Sequence, residues 1–145
     1  MQDYGGINHL IVRLARAHWG AAAALLQEVG LYPGQELLLM RLWETDHQSQ
    51  TALAKSLQLD RSTVTRTVQR LEQQGLIERR PSPTDGRSVI VSLTPAGSRL
   101  REAVAQSWAR LEEIATDGLS DRQKGEATRL LRRMDHNLRT FSNDT

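Results

Sequence analysis

Cysteine is absent from the 145 residues, and with it go disulfides, thiolate metal sites, cysteine nucleophiles and peroxide-sensing thiols. Lysine is nearly missing as well: Lys55 and Lys124 are the only two, so the positive charge is almost entirely arginine. The guanidinium fork suits phosphate and guanine edges better than an ammonium does. No stretch approaches the roughly 18 apolar residues of a spanning helix, and Met1-Gln2-Asp3 shows no basic leader, so a cytoplasmic protein without a membrane partner is expected. His9, His18, His47 and His136 lack the close paired spacing of a metal site. No Gly-rich phosphate loop, nucleophile motif or paired carboxylate appears, and Glu112-Glu113 reads as the polar face of an amphipathic helix. Neither an enzyme, a metal nor a cofactor is expected.

What is present is one domain's worth of globular composition, with 39% hydrophobic and 25% charged residues. The formal net charge is only +2, but it is unevenly placed. Residues 61 to 87 carry Arg61, Arg66, Arg70, Arg79, Arg80 and Arg87 against Glu72, Glu78 and Asp85, a local balance of +3, so the remainder sums to −1.

Helical periodicity of Ile7, Leu10, Ile11, Leu14, Ala21 and Leu25 predicts a first helix from about Asp3 to Val29, stopped by Gly30. A second, strongly apolar helix follows Pro33-Gly34 and includes Leu37 to Trp43, and residues 45 to 50 read as a polar loop. A third helix is expected over Thr51 to Leu57, with Ala52, Leu53 and Leu57 inward. Asp60 caps a fourth over Arg61 to Gln74, with Gly75 supplying the left-handed stop. The tight link between them gives a helix-turn-helix. Leu76–Arg80 and Arg87–Leu93 flank an irregular Pro81–Gly86 tip and predict a β-hairpin. Thr94-Pro95 opens a fifth helix to about Ala115, striped by Leu100, Val104, Trp108, Leu111 and Ile114; Trp43 and Trp108 are read as core. Ser120 and Gln123 form a capping box for a last helix striped by Ala127, Leu130, Leu131, Met134, Leu138 and Phe141.

On a wheel of about 100° per residue, Val64, Val68 and Leu71 form one stripe of the fourth helix, with Ser62, Arg66, Gln69 and Gln73 opposite and Thr65 and Arg70 at the flanks. That outer face carries hydroxyl, amide and guanidinium groups without a carboxylate, the set that reads base edges in a DNA major groove. The basic hairpin tip directly after it places Arg87 to enter an adjacent minor groove, while an Arg87–Asp85 salt bridge would pin the turn. A solvated surface helix and a winged helix serving as a protein-interaction module are the competing readings.

Ser62-Thr63-Val64-Thr65-Arg66, Arg70-Leu71-Glu72, Gly75-Leu76-Ile77-Glu78-Arg79, Asp85-Gly86-Arg87-Ser88 and Leu93-Thr94-Pro95-Ala96-Gly97 together resemble the MarR family of bacterial winged-helix regulators. The resemblance is dense from about Leu31 to Gly97. It implies a mainly α fold with a small β-hairpin wing. Residues 31–94 would be a winged helix-turn-helix lobe, and residues 1–30 and 95–145 a helical dimerisation region. It further implies a homodimer, acting as a repressor, on pseudo-palindromic double-stranded promoter DNA. The apolar stripes at both ends of the chain, too extensive for a lobe of this size to cover, agree with a dimer. The expected DNA-binding residues are Arg61, Ser62, Thr63, Thr65, Arg66, Gln69 and Arg70 on the recognition helix, with Asp85 and Arg87 on the wing. Family members often release DNA on binding a small phenolic ligand. His9, Arg13, His18 and Trp19, on a helix that borders the family's ligand cleft, are matched to a phenolate or aromatic carboxylate effector; packing at the dimer interface is their other reading.

Overall fold

The computed structural model describes residues 5–144. The chain divides into two compact units, one through Leu111 and one from Glu112 onward. In the first, α1 (Gly6–Gln27), α2 (Gln35–Glu44), β1 (Gln48–Ser49), α3 (Gln50–Leu57), α4 (Arg61–Gln73), β2 (Ile77–Pro81), β3 (Val89–Leu93) and α5 (Pro95–Arg99) lead into α6 (Arg101–Ala115), which runs across the division. The second unit holds the end of α6 and α7 (Asp121–Asn143). This is the mainly helical, winged helix-turn-helix architecture expected from the sequence. The expected start of the first helix at Asp3 lies outside the described residues.

The core of the first unit is aliphatic. Leu26, Leu38, Leu39, Leu42, Leu53, Val64, Val68, Leu71, Ile77, Val91 and Val104 are essentially sealed from solvent. Val64, Val68 and Leu71 lie within one narrow arc of α4, so a single face of that helix closes the core and the opposite face is left to solvent. Asp60 accepts from the Thr63 amide at 3.2 Å at the helix start, and Gly75, at φ 75, receives the chain at its end. The turn between α3 and α4 needs a left-handed residue and uses Gln58, at φ 55.

The hairpin pairs antiparallel from Ile77↔Leu93 to Pro81↔Val89, as its β-rich halves require. Residues 45 to 50 do more than form a loop. Gln48 and Ser49 add a third strand to the outer edge of β3, in register with Val91 and Ile90. Two residues carry no readable alternation, so only the tertiary pairing reveals β1. Ser49 then caps α3 by accepting from the Ala52 amide at 3.0 Å, which starts the helix at Gln50 rather than Thr51. Within α3 Leu53 and Ala54 are buried and Leu57 packs, partly buried, against the core, whereas Ala52 is exposed.

The single fifth helix of the sequence reading is interrupted at Leu100, between α5 and α6. The interruption lies beside a crowded contact. The Trp43 indole donates to the Gly97 carbonyl at 3.0 Å, and a Cβ on Gly97 would sit 2.0 Å from the Leu76 carbonyl oxygen. Thr94 ties the same corner together: it donates through its hydroxyl to Gly75 O at 2.6 Å and caps α5 by accepting from the Gly97 amide. Trp43 and Trp108 pack against the core as expected, although both are only partly buried. Val104 and Leu111 of the α6 stripe are buried, but Ile114 is half exposed. In the second unit the Ser120–Gln123 capping box forms reciprocally.

Candidate nucleic-acid interface

The outer face of α4 is as the wheel drew it: Ser62, Arg66, Gln69, Arg70 and Gln73 are exposed, and Thr63 and Thr65 are partly covered. The structure then sorts the six arginines of this region into two groups. Arg79 donates to both Glu72 carboxylate oxygens, the shortest contact being 2.9 Å from Nη2, and its backbone amide adds a third donor. Arg80 pairs with Glu78 at 3.3 Å. Arg61, Arg66, Arg70 and Arg87 make no ion pair among the described residues. The three carboxylates between 61 and 87 are therefore engaged by partners on the wing and helix, and the four guanidiniums without an ion pair remain at the surface.

Glu72, Asp60 and Asp85 each have a structural task. Glu72 clamps the C-terminal turn of α4 to β2, and the Arg79 guanidinium holds its carboxyl below the usual range. Asp60 accepts from the Ser62 and Thr63 hydroxyls as well as the Thr63 amide, and these donors lower its pKa to about 2. Asp85 pins the wing turn, but through the Arg87 amide at 3.1 Å and the Ser88 hydroxyl at 3.1 Å; no guanidinium salt bridge to Arg87 is present among the described residues. The turn is thus fixed by an Asx-type bond, and the Arg87 side chain keeps its charge for other partners.

Arg61 and Thr65 from α4, Gln50 and Thr51 from α3, and Asp85, Arg87, Ser88 and Val89 from the wing line one open cleft of about 430 Å³. Gln50 was missed from sequence because residues 45 to 50 read as a loop, and Thr51, read as the start of the third helix, was not assigned to the interface. The signal available was Ser49, a good N-cap residue three positions before Ala52.

The proposed effector residues are not gathered in one place. All four are exposed on α1. His18 meets the edge of Trp108 with ring centroids 6.3 Å apart, and Trp19 lies next to Gly34. His9 and Arg13 lie about 180° and 140° around α1 from His18, and nine residues of helix put His18 about 13 Å along the axis from His9. Among the described residues no cluster of His, Asp or Glu fit to hold a metal is found, and no helix is long and apolar enough to cross a membrane.

A family model described as "MarR family" matches residues 31–89. The chain is 34% identical over 105 residues to a putative transcriptional regulatory protein for the hcr operon of Thauera aromatica. That match covers 72% of this chain but only 63% of the relative's own length. A MarR transcriptional regulator from Methanosarcina mazei superposes with a TM-score of 0.84 at 30% identity, covering 93% of this chain and 97% of that one. A mutant MarR from E. coli, solved in complex with operator DNA, superposes with a TM-score of 0.82 at 25% identity, covering 89% and 93% of the two chains. Near-complete mutual coverage, the shared fold and the matched recognition-helix and wing region agree: the chain belongs to the MarR family.

Proposed function

We propose that this protein is a transcriptional regulator that binds double-stranded DNA as a homodimer, with α4 in the major groove and the wing against the flanking minor groove. The observation that carries the reading is the separation of charge around α4. Every acidic side chain of residues 61–87 is engaged within the lobe, while Arg61, Arg66, Arg70 and Arg87 are left unmatched around an exposed face and a cleft. In this reading Arg66 and Gln69 contact base edges, with Thr65 beside them, and Arg61 and Arg70 contact phosphates. Ser62 and Thr63 spend their protons on Asp60, so they offer DNA only acceptor lone pairs and chiefly shape the helix start.

Residues 1–30 and 95–145 serve as the dimerisation region. Ile7, Leu10 and Leu14 of α1 are 57–67% exposed, and Leu130, Leu131 and Leu138 of α7 are 48–59% exposed. A second copy would remove these rows of apolar side chains from water, at roughly 25 cal/mol per Å² of apolar surface. Two recognition helices related by a two-fold axis then meet half-sites about 10 bp apart. Occupation of promoter DNA makes repression the natural output, and the operator complex of the E. coli relative supports it. A small anionic aromatic effector is held at His18 and Trp19; His9 lies about 13 Å along α1 from His18, and Arg13 lies about 140° around the helix from it.

The test is selection of bound fragments from random double-stranded DNA. A pseudo-palindromic enriched sequence with half-site centres about 10 bp apart is the expected result. Absence of any enriched sequence would overturn the reading and favour a winged helix used for protein contacts.

A further inference from the structure

The N-terminal half of α4 presents four hydroxyls, and three of them have spent their protons. Ser62 and Thr63 donate to Asp60, and Thr67 donates back to the Thr63 carbonyl at 2.9 Å. Thr65 differs. Its Oγ1 accepts from Gln50 Nε2 at 3.3 Å, across the helix-turn-helix, and among the described residues it has no acceptor for its own proton. Gln50 shows the complementary oddity: its Oε1 is sealed from solvent and has no hydrogen-bond partner among the described residues. Native proteins rarely leave such an atom unmatched, and the exceptions call for a reason.

The reason lies in the two ways the amide can sit. With Nε2 on Thr65, one acceptor is left unmet in the sealed position. Turned over, Oε1 would accept the Thr65 proton and the NH₂ would be sealed, leaving two unmet donors. The first arrangement is the less costly, and it has a consequence at the surface: a Thr65 hydroxyl that already accepts from Gln50 must point its proton elsewhere. The available direction is the cleft lined by Gln50, Arg61, Thr65 and Arg87.

We propose that Gln50 is a positioning residue that biases the hydrogen-bond polarity of Thr65: with one lone pair occupied by Gln50 and its proton free, Thr65 favours an acceptor-bearing base edge, guanine O6/N7 or thymine O4, at one base pair of each half-site. The inference rests on the DNA-binding reading above and adds to it a specificity determinant outside the recognition helix. A hydroxyl free to rotate is indifferent between donor and acceptor edges. With one lone pair taken by Gln50, the balance shifts toward donation.

The experiment compares the full-length wild type, Gln50→Met, Thr65→Val and the double variant by quantitative binding to a library of single-base substitutions of the selected site, together with thermal unfolding. Gln50→Met keeps the side-chain length but lacks the amide. It should reduce the preference for the acceptor base at one base pair by about fivefold, the worth of one ordinary hydrogen bond, and leave the base preferences at the other positions as they are in the wild type. Its melting temperature should hold or rise, because the sealed, unpaired carbonyl goes with the amide. Thr65→Val should erase the preference at that same base pair, and the double variant should lose nothing more. Preference left intact by Gln50→Met, or a loss at a base pair that Thr65→Val does not affect, overturns the inference while leaving DNA binding standing. A wild type that selects no sequence at all overturns both.

Discussion

Helices α4 and α7 are both strongly amphipathic, yet they are complete in opposite ways. On α4 the apolar stripe is finished within the chain: Val64, Val68 and Leu71 are fully buried. Its polar face is the unfinished one, with Arg61, Arg66 and Arg70 lacking ion pairs among the described residues. On α7 the charges include matched i,i+4 pairs, Arg139 with Asp135 at 2.8 Å and Arg122 with Glu126 at 3.4 Å, while Leu130, Leu131 and Leu138 remain about half exposed. An apolar stripe wants another apolar surface and an unmatched row of guanidiniums wants a polyanion. The same amphipathic pattern therefore points to DNA at one helix and to protein at the other, and only the state of each face tells them apart.

The contrast breaks most sharply in stability. Leu71→Ala, on the closed stripe, should cost about 2 to 5 kcal/mol of folding free energy by transfer and cavity terms, read from denaturant unfolding. Leu138→Ala, on the open stripe, should shift the unfolding of the isolated chain by less than about 0.5 kcal/mol. Comparable losses measured at concentrations where the protein is monomeric would show that the α7 stripe is already covered within the chain.

The second prediction turns the α7 face against itself. Leu131→Asp combined with Leu138→Asp puts carboxylates into the proposed dimer seam, and sedimentation at micromolar concentration should show a monomer. Affinity for the full pseudo-palindrome should then fall by about 100-fold or more, because two linked half-site contacts become one. Affinity for an isolated half-site should be unchanged. A charged variant that stays dimeric would place the interface elsewhere.

How much of this contrast was legible in the sequence follows from how local each signal is. The inner stripe of α4, the Asp60 cap, the Gly75 stop and the hairpin all depend on neighbours a few residues apart, and period and capping chemistry announce them. Strand β1 depends on Val91 and Ile90, some forty residues away, and two residues have no period of their own. Gln35 and Glu36 look like helix-surface residues, yet both are almost fully buried. Gln35 is satisfied there by donating to Gln74 and accepting from the Tyr32 amide, and Glu36 by accepting from the Gly34 amide. The division of the arginines was equally hidden. Nothing in the spacing of Glu72, Glu78 and Asp85 says that two of them take Arg79 and Arg80 while Asp85 takes backbone and Ser88.

On α4 itself the open face can be dissected by substitution. Arg66→Ala should cost about 1 to 3 kcal/mol on the selected site and relax base preference there. Arg61→Ala and Arg70→Ala should weaken all sequences alike and flatten the salt dependence by about one unit per lost phosphate contact. Equal losses on selected and random DNA for Arg66→Ala would remove it from base reading. On the wing, Arg87→Ala should weaken binding most where the flanks are A·T-rich, since a narrow minor groove attracts arginine most strongly. Asp85→Ala should have a smaller effect of the same sign, because it loosens the turn that carries Arg87 without removing the charge. Insensitivity of the Arg87→Ala loss to flank composition would rule out minor-groove insertion.

The smallest expected effects are in pH dependence, and they run in opposite directions for two carboxyls. Asp60 is held down to about 2 by the Ser62 and Thr63 donors, against an ordinary value of 3.8. A depressed carboxyl contributes stability that is present above its unfolded value and is lost as pH falls through its folded one. The cap of α4 should therefore weaken between pH 3.8 and about 2. Burial raises Glu36 above its ordinary 4.5, only partly offset by backbone hydrogen bonds and the nearby His18. A raised carboxyl has the reverse sign: its favourable contribution is complete below 4.5 and is lost as pH rises through the folded value. Asp60→Asn, which keeps a good capping residue, should unfold at a lower temperature than the wild type at pH 6, with the gap closing toward pH 2. Glu36→Gln should be more stable than the wild type at pH 7 and converge with it below pH 4.5, because the amide oxygen still accepts from Gly34 without carrying a buried charge. Melting temperatures across pH 2 to 7 check both, and a Glu36→Gln protein that gained nothing at neutral pH would mean that the Gly34 amide and His18 already offset the burial of the ionised carboxylate.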